Sequence, residues 1–254
     1  KPMNATQVRG AAVDAAHRRG GWLPDIDARL AALESPVRTV LGPSLGTLAD
    51  ADRITLVPDA HYPFHPSSGL VTDPAVIGSM AAVLGDETDA EIAVAGASDD
   101  TIAFDRTATY LGYASLLERV DATLVDLDDE PALDEHDTVD GTDIRLTIPE
   151  RLVDSAVVVV PWLRPIEDGP VAGAMRTLAA LVDSRVASDL APVAATRVLD
   201  PAIAVVDGTT AYGGEPVAAD VLFSGAPPAV DAVASSLLGR SLEADDALQA
   251  AREG

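Results

Sequence analysis

The sequence predicts a layered α/β fold, with a mainly parallel sheet and helices on both of its faces. Three observations carry that expectation. Short apolar runs recur along the chain, and the run Ser155–Val160 is continuous, which suits a parallel strand covered on both faces. Segments with helix-start signals lie between those runs, giving a βαβα order. Hydrophobic residues make up 48 % of the 254, enough to fill a core even with aromatics at 4 %.

The elements follow in chain order. Residues 5–19 have helical composition and stop at Gly20-Gly21. A second short helix is expected over 25–34, with Asp25 as its cap after Pro24. Residues 1–52 are thereby read as an N-terminal helical segment packed on the core, and 53–254 as a single α/β domain. Arg53–Val57 reads as a buried strand, followed by a loop over 58–73 with three prolines and two histidines. Asp73-Pro74 opens a helix through Leu84, with proline at its first position. Glu91–Ala95 is the next strand, followed by helices near 101–112 and 114–119. Ala122–Val125 is a strand, 126–140 an acidic loop, and the alternating Ile144–Ile148 an exposed or edge strand. After the 155–160 strand, Gly169-Pro170 starts a helix reaching about Asp183. Ile203–Val206 and Val221–Phe223 are short strands. Pro228–Leu238 and 242–252 are helices.

Lys1 is the only lysine among 17 basic residues, against 41 Asp and Glu and a net charge of −24. A GC-rich genome replaces lysine by arginine but does not by itself set the isoelectric point near 4.2. Multimolar cytoplasmic salt accounts for both, because at 1 M the Debye length falls to about 3 Å and an acidic surface stops repelling itself. The composition therefore predicts a salt-in halophile, in particular a haloarchaeon, and a cytoplasmic location. With no basic stripe, nucleic acid is not an expected partner. No apolar run approaches the ~20 residues of a membrane span. The absence of cysteine excludes disulfides, thiolate zinc sites and a cysteine-ligated iron–sulfur cluster within these residues. The absence of lysine beyond position 1 excludes Schiff-base chemistry and the usual P-loop. Met3 stands behind Lys1-Pro2, which suits either a native start at Met3 or a chain that begins inside a longer protein.

Four expected strands run straight into polar residues: Pro58–His61, Gly96–Asp100, Pro161–Pro165 and Asp207–Thr210. Open α/β sheets bind ligands outside the carboxyl ends of their strands, so these segments mark one candidate edge. Asp59, His61 and His65 share the first loop. Imidazole with carboxylate suits Zn, Mn, Fe or Ni, although Pro63 and Pro66 prevent the two histidines from sharing a helical face. Loop imidazoles bonded to backbone are the competing reading. Asp207 and Asp99 are candidate ligand-binding carboxylates, or caps of the turns that follow. Arg164 suits a carboxylate or phosphate, or a structural ion pair. Trp162 lines a pocket or covers the sheet edge. Asp168-Gly169-Pro170 offers a helix start with open amides, and Ser98 and Ser224 sit in no nucleophile elbow.

The order of these segments resembles the family known as domain of unknown function 362. The resemblance rests on Ile54–Asp59 followed by Val71–Pro74, on Val157–Pro165, on Ala204–Gly208 with Gly214–Pro216, and on Ala219–Phe223 leading to Ala229–Val233 and Leu238-Gly239. It covers roughly residues 53–240 and implies the fold and the edge residues rather than a reaction. The family often carries lysine where this chain reads Val57-Pro58 and Trp162–Arg164, and many relatives carry a ferredoxin-like cysteine segment that is missing here. A more distant likeness is to the N-terminal part of nickel-pincer lactate racemases, whose cofactor lysine has no equivalent. The expectation is a protein that binds a small anionic ligand or a divalent metal at the sheet edge through Asp59, His61, Asp207 and Arg164. An accessory or interaction protein without chemistry, and a metal-dependent hydrolase or racemase-like enzyme using His61 and Asp59, are the competing classes. Homo-oligomerisation is left open.

Overall fold

A computed structural model of the chain describes residues 7–14, 25–98, 101–166, 170–184 and 189–253. Strands β1 (Arg9–Ala12), β2 (Arg53–Pro58), β3 (Glu91–Gly96), β4 (Thr123–Asp126), β7 (Ala156–Val160), β9 (Ile203–Tyr212) and β10 (Pro216–Gly225) form a sheet of order β1-β10-β9-β7-β2-β3-β4. The five from β9 to β4 are parallel, whereas β10 and β1 pair antiparallel at one end. Strands β5 (Ala132–Val139), β6 (Thr142–Pro149) and β8 (Asp183–Ser184) make a separate antiparallel sheet.

Strict alternation along the central strands feeds two cores. Ile54 and Leu56, Val158 and Val160, and Ile203 and Val205 face one layer. That layer holds α1 (Ile26–Leu41), α2 (Leu45–Ala49), α3 (Pro74–Glu87), α4 (Phe104–Leu111) and α5 (Tyr113–Leu117). Val57, Val157, Val159, Ala204 and Val206 face the other. There α7 (Gly173–Ala179), α8 (Ala191–Leu199), α9 (Pro227–Leu237) and α10 (Asp246–Glu253) pack beside the β5–β6 hairpin. The α/β class, the mainly parallel sheet and the helices on both faces are thus as the sequence predicts. The one-turn α6 (Glu150–Val153) links β6 to β7.

Several elements differ from expectation. Within the stretch expected as an N-terminal helix, Arg9–Ala12 is a strand, because hydrogen bonding to the open side of β10 outweighs the helix preference of Ala and Arg. Residues 5–6 and 15–19 of that stretch lie outside the described residues. Helix α1 runs past 34 to Leu41 through Pro36. Burial of Leu33, Pro36, Val37, Val40 and Leu41 on one stripe offsets a proline cost of about 3 kcal/mol. The expected acidic loop 126–140 contains β5, held by pairing with β6 around Asp140-Gly141, both at positive φ (50° and 77°). Consequently β6 is the middle strand of its sheet rather than an edge, with Ile144, Leu146 and Ile148 buried. The two short strands expected near 203 and 221 are ten residues each and form a hairpin across Gly213-Gly214, interrupted by a bulge between Ala218 and Val221. Helix α7 begins at Gly173 rather than at Gly169, which with Asp168 lies outside the described residues. Gly173 sits at φ +62°, and the Asp231 carboxylate fills the place of its missing Cβ while accepting from the Ala174 and Met175 N–H groups at 2.6 and 3.0 Å.

Candidate functional site

The carboxyl ends of β2 and β7 meet β9 at one edge of the sheet. Strand β2 leads directly into Asp59. Its N–H reaches Val160 O (3.2 Å) and the Thr72 hydroxyl (3.0 Å), and the Thr72 hydroxyl donates to Val160 O (2.7 Å). Strand β7 leads into Pro161–Arg164, which runs beside β9: Asp207 N–H donates to Pro161 O (2.9 Å) and Leu163 N–H to Asp207 O (3.0 Å). Asp207, expected at a strand end, therefore lies inside β9, but at the level where β7 stops.

Asp59 is 3 % exposed, and its Oδ2 accepts from Arg164 Nε (3.2 Å) and Nη2 (3.1 Å). Its Oδ1 lies 3.9 Å from His61 Nε2. The side chains of Arg164 and His61 stay partly open, 28 % and 27 % exposed. Only two of the five N–H groups of Arg164 are spent on Asp59, so the edge of the guanidinium formed by Nη1 and Nη2 keeps a fork that fits a carboxylate or phosphate. Tyr62 and Phe64, about half exposed, stand on the same loop with ring centroids 5.9 Å apart.

Behind this pair, Asp207 is 1 % exposed. Its Oδ1 accepts from Thr209 N–H (2.9 Å) and the Thr209 hydroxyl (2.7 Å), and its Oδ2 from Asp73 N–H (2.7 Å). Asp73 caps α3 by accepting from Ala75 N–H (2.9 Å) and is ion-paired with Arg29 from α1. Burial, and then the Asp73 charge, push the Asp207 carboxyl up to about 6, while the hydrogen bonds it accepts pull it back. Tyr113, at the start of α5, is fully buried. Burial raises its pKa well above the usual phenol value, and the charges of Asp73, Asp207 and Asp59 raise it further. Among the described residues its hydroxyl has no hydrogen-bond partner.

The edge thus brings together Asp59, His61, Arg164 and Asp207 of the expected residues. Trp162 is buried, donates its indole N–H to Thr210 O, and packs over Gly69, where a Cβ would come within 2.7 Å of the ring. His65 serves its own loop instead. Its Nδ1 accepts from Ser67 N–H (3.2 Å) and lies 2.8 Å from the Ser67 hydroxyl, capping the 3-10 turn Pro66–Ser68. Asp99 lies outside the described residues. The neighbouring Ser98 donates to Asp126 Oδ2 (2.7 Å) and accepts from Phe104 N–H (2.8 Å), tying β3 to β4 and α4. Ser224 donates to Val40 O (2.7 Å) in the core. Among the described residues, no group of three or more His, Asp or Glu is placed to hold a metal ion. Nor is any helix long and apolar enough to cross a membrane. Sequence reasoning missed Asp73, Arg29 and Tyr113 as members of the site. Asp73 had shown itself only as a helix cap, and the other two lie in helices with no local polar pattern.

The family model described as "Domain of unknown function (DUF362)" matches residues 54–236, from the first residues of β2 into α9. No curated protein and no solved structure matches the chain.

Proposed function

The chain belongs to the DUF362 family, and on that premise we propose that its carboxyl edge binds a small organic acid or phosphate ester, with Arg164 as the main anion contact. One observation carries the reading. Arg164 is fixed by Asp59 through Nε and Nη2, yet its side chain stays 28 % exposed and three of its five N–H groups are not spent on Asp59. Holding the guanidinium in place lowers the ordering cost of binding. His61 supplies a second donor, and Tyr62 and Phe64 a platform for the apolar part of the ligand. Asp207 and Trp162 act as positioning residues, since their own polar atoms are already engaged.

A second reading is favoured by the closeness of Asp59 Oδ1 and His61 Nε2. These two, with groups from the ligand, would hold a divalent metal. The surface charge supports placing the protein in a salt-rich cytoplasm, away from nucleic acid. Thermal unfolding in about 2 M KCl with phosphate, citrate or lactate added, and metal analysis of the purified protein, test both. The anion reading expects a stabilising shift that disappears in Arg164→Lys, which keeps the charge but loses the fork. The metal reading expects stoichiometric metal lost in His61→Ala. Absence of both effects leaves an accessory protein.

A further inference from the structure

Two exposed rings beside the anion contact bear on which acid it takes. Among the described residues, three aromatic side chains are exposed: Tyr62 (50 %), Phe64 (45 %) and Tyr110 (62 %). A single exposed ring such as Tyr110, near the end of α4, is ordinary surface. Tyr62 and Phe64 form a pair, with ring centroids 5.9 Å apart and planes tilted by 55°.

The pair stands on a closed loop. Thr72 N–H donates to Asp59 O (2.9 Å), so the two ends of the loop meet at the carboxyl end of β2. Within it, Phe64 N–H donates to Tyr62 O (2.8 Å), Ser68 N–H to His65 O (2.8 Å) and Gly69 N–H to Pro66 O (3.0 Å). Pro63 and Pro66 each fix a φ angle, and Gly69 rests on the buried Trp162 ring. A backbone tied at these points keeps both rings at the surface, and their apolar area is left for a ligand to cover. Short contacts join the rings to the guanidinium. Arg164 Nη2 lies 3.1 Å from Asp59 Oδ2, His61 Nε2 lies 3.9 Å from Asp59 Oδ1, and Tyr62 is the next residue after His61. Two tilted rings offer a flat guest one face for offset stacking and one edge, a geometry that a saturated guest cannot use.

We propose that the ligand of this edge is an aromatic acid, with its carboxylate or phosphate on Arg164 and its ring against Tyr62 and Phe64. The proposal rests on the anion reading and narrows it from small acids in general to those carrying a flat ring close to the charge. Calorimetry in about 2 M KCl with acetate, cyclohexylacetate and phenylacetate tests it, and phenyl phosphate against methyl phosphate repeats the comparison for the other head group. Cyclohexylacetate matches phenylacetate in charge and approximate size but has no π-face. Phenylacetate is expected to bind at least about threefold more tightly than cyclohexylacetate, the scale of a ring–ring preference. In the double variant Tyr62→Ser, Phe64→Ser that ratio is expected to fall to about one, whereas Tyr110→Ser keeps it. Melting temperatures of the variants confirm that each is folded. A ring advantage in either head-group series that depends on the pair supports the proposal. Binding that needs Arg164 but shows no ring advantage in either series, or the same advantage in the double variant, overturns the proposal and leaves the anion reading standing. If no acid binds in an Arg164-dependent way, both fall.

Discussion

Asp231 offers a stability test that is independent of any ligand. The residue is fully buried on α9, and its two oxygens accept the Ala174 and Met175 N–H groups that open α7. Burial raises its carboxyl from 3.8 to about 7, against the pull of those two bonds and of Arg176. A folded-state pKa above the unfolded value means that the native state holds the proton more tightly. The stabilisation is complete below about pH 3.8 and is lost as the pH rises through about 7. The shift corresponds to about 4 kcal/mol over the whole window at 1.36 kcal/mol per unit. By the linkage relation, about 3 kcal/mol of it falls between pH 5 and pH 8. Asp231→Asn keeps the shape, carries no charge, and turns its amide nitrogen toward one of the two N–H groups, at a cost of about 1–3 kcal/mol. Urea unfolding followed by circular dichroism, in constant KCl from pH 5 to pH 8, measures the difference between variant and wild type. The variant is expected to gain about 2–3 kcal/mol relative to wild type across that range. A difference independent of pH would refute the account of Asp231 as a carboxylate whose ionisation burial opposes.

Two further outcomes are expected. Gly69→Ala places a Cβ at φ +65° and 2.7 Å from the Trp162 ring, so left-handed strain and overpacking together cost about 2–5 kcal/mol and weaken anion binding at the edge; denaturant titration and binding of the same anion check it, and an unchanged midpoint contradicts it. Transfer from about 2 M KCl to dilute buffer removes the screening that a net charge of −24 requires, so the melting temperature is expected to fall steeply, and cooperative unfolding at the same temperature in salt-free buffer contradicts the halophile reading.

How far the sequence reveals the fold depends on where each element takes its stability. The central strands were legible because burial on both faces leaves an apolar run, as in Val157–Val160. Strand β5 was hidden because its residues are almost all exposed and it is held by pairing, although Asp140-Gly141 carried the hairpin signal. Strands β9 and β10 were cut short at Asp207-Gly208 and at the solvent-facing stretch Ala218–Asp220, where side-chain bonds and a bulge replace apolar burial. At the site, Asp59, directly after β2, and Arg164, in the segment that follows β7, declared themselves by position. Arg29 did not, because helix packing rather than local sequence brings it to the Asp73 carboxylate. Asp73 carried only its capping signature, which says nothing about the Asp207 carboxylate bonded to its N–H.

Calorimetric titration of the most stabilising anion into wild type, Arg164→Lys and the distant surface variant Arg145→Lys tests the central claim most directly. Saturable binding to wild type and Arg145→Lys, weakened at least about tenfold in Arg164→Lys by loss of a bidentate charge-assisted contact, is the predicted result. Equal affinity in all three proteins would contradict the assignment of the carboxyl edge as an anion site.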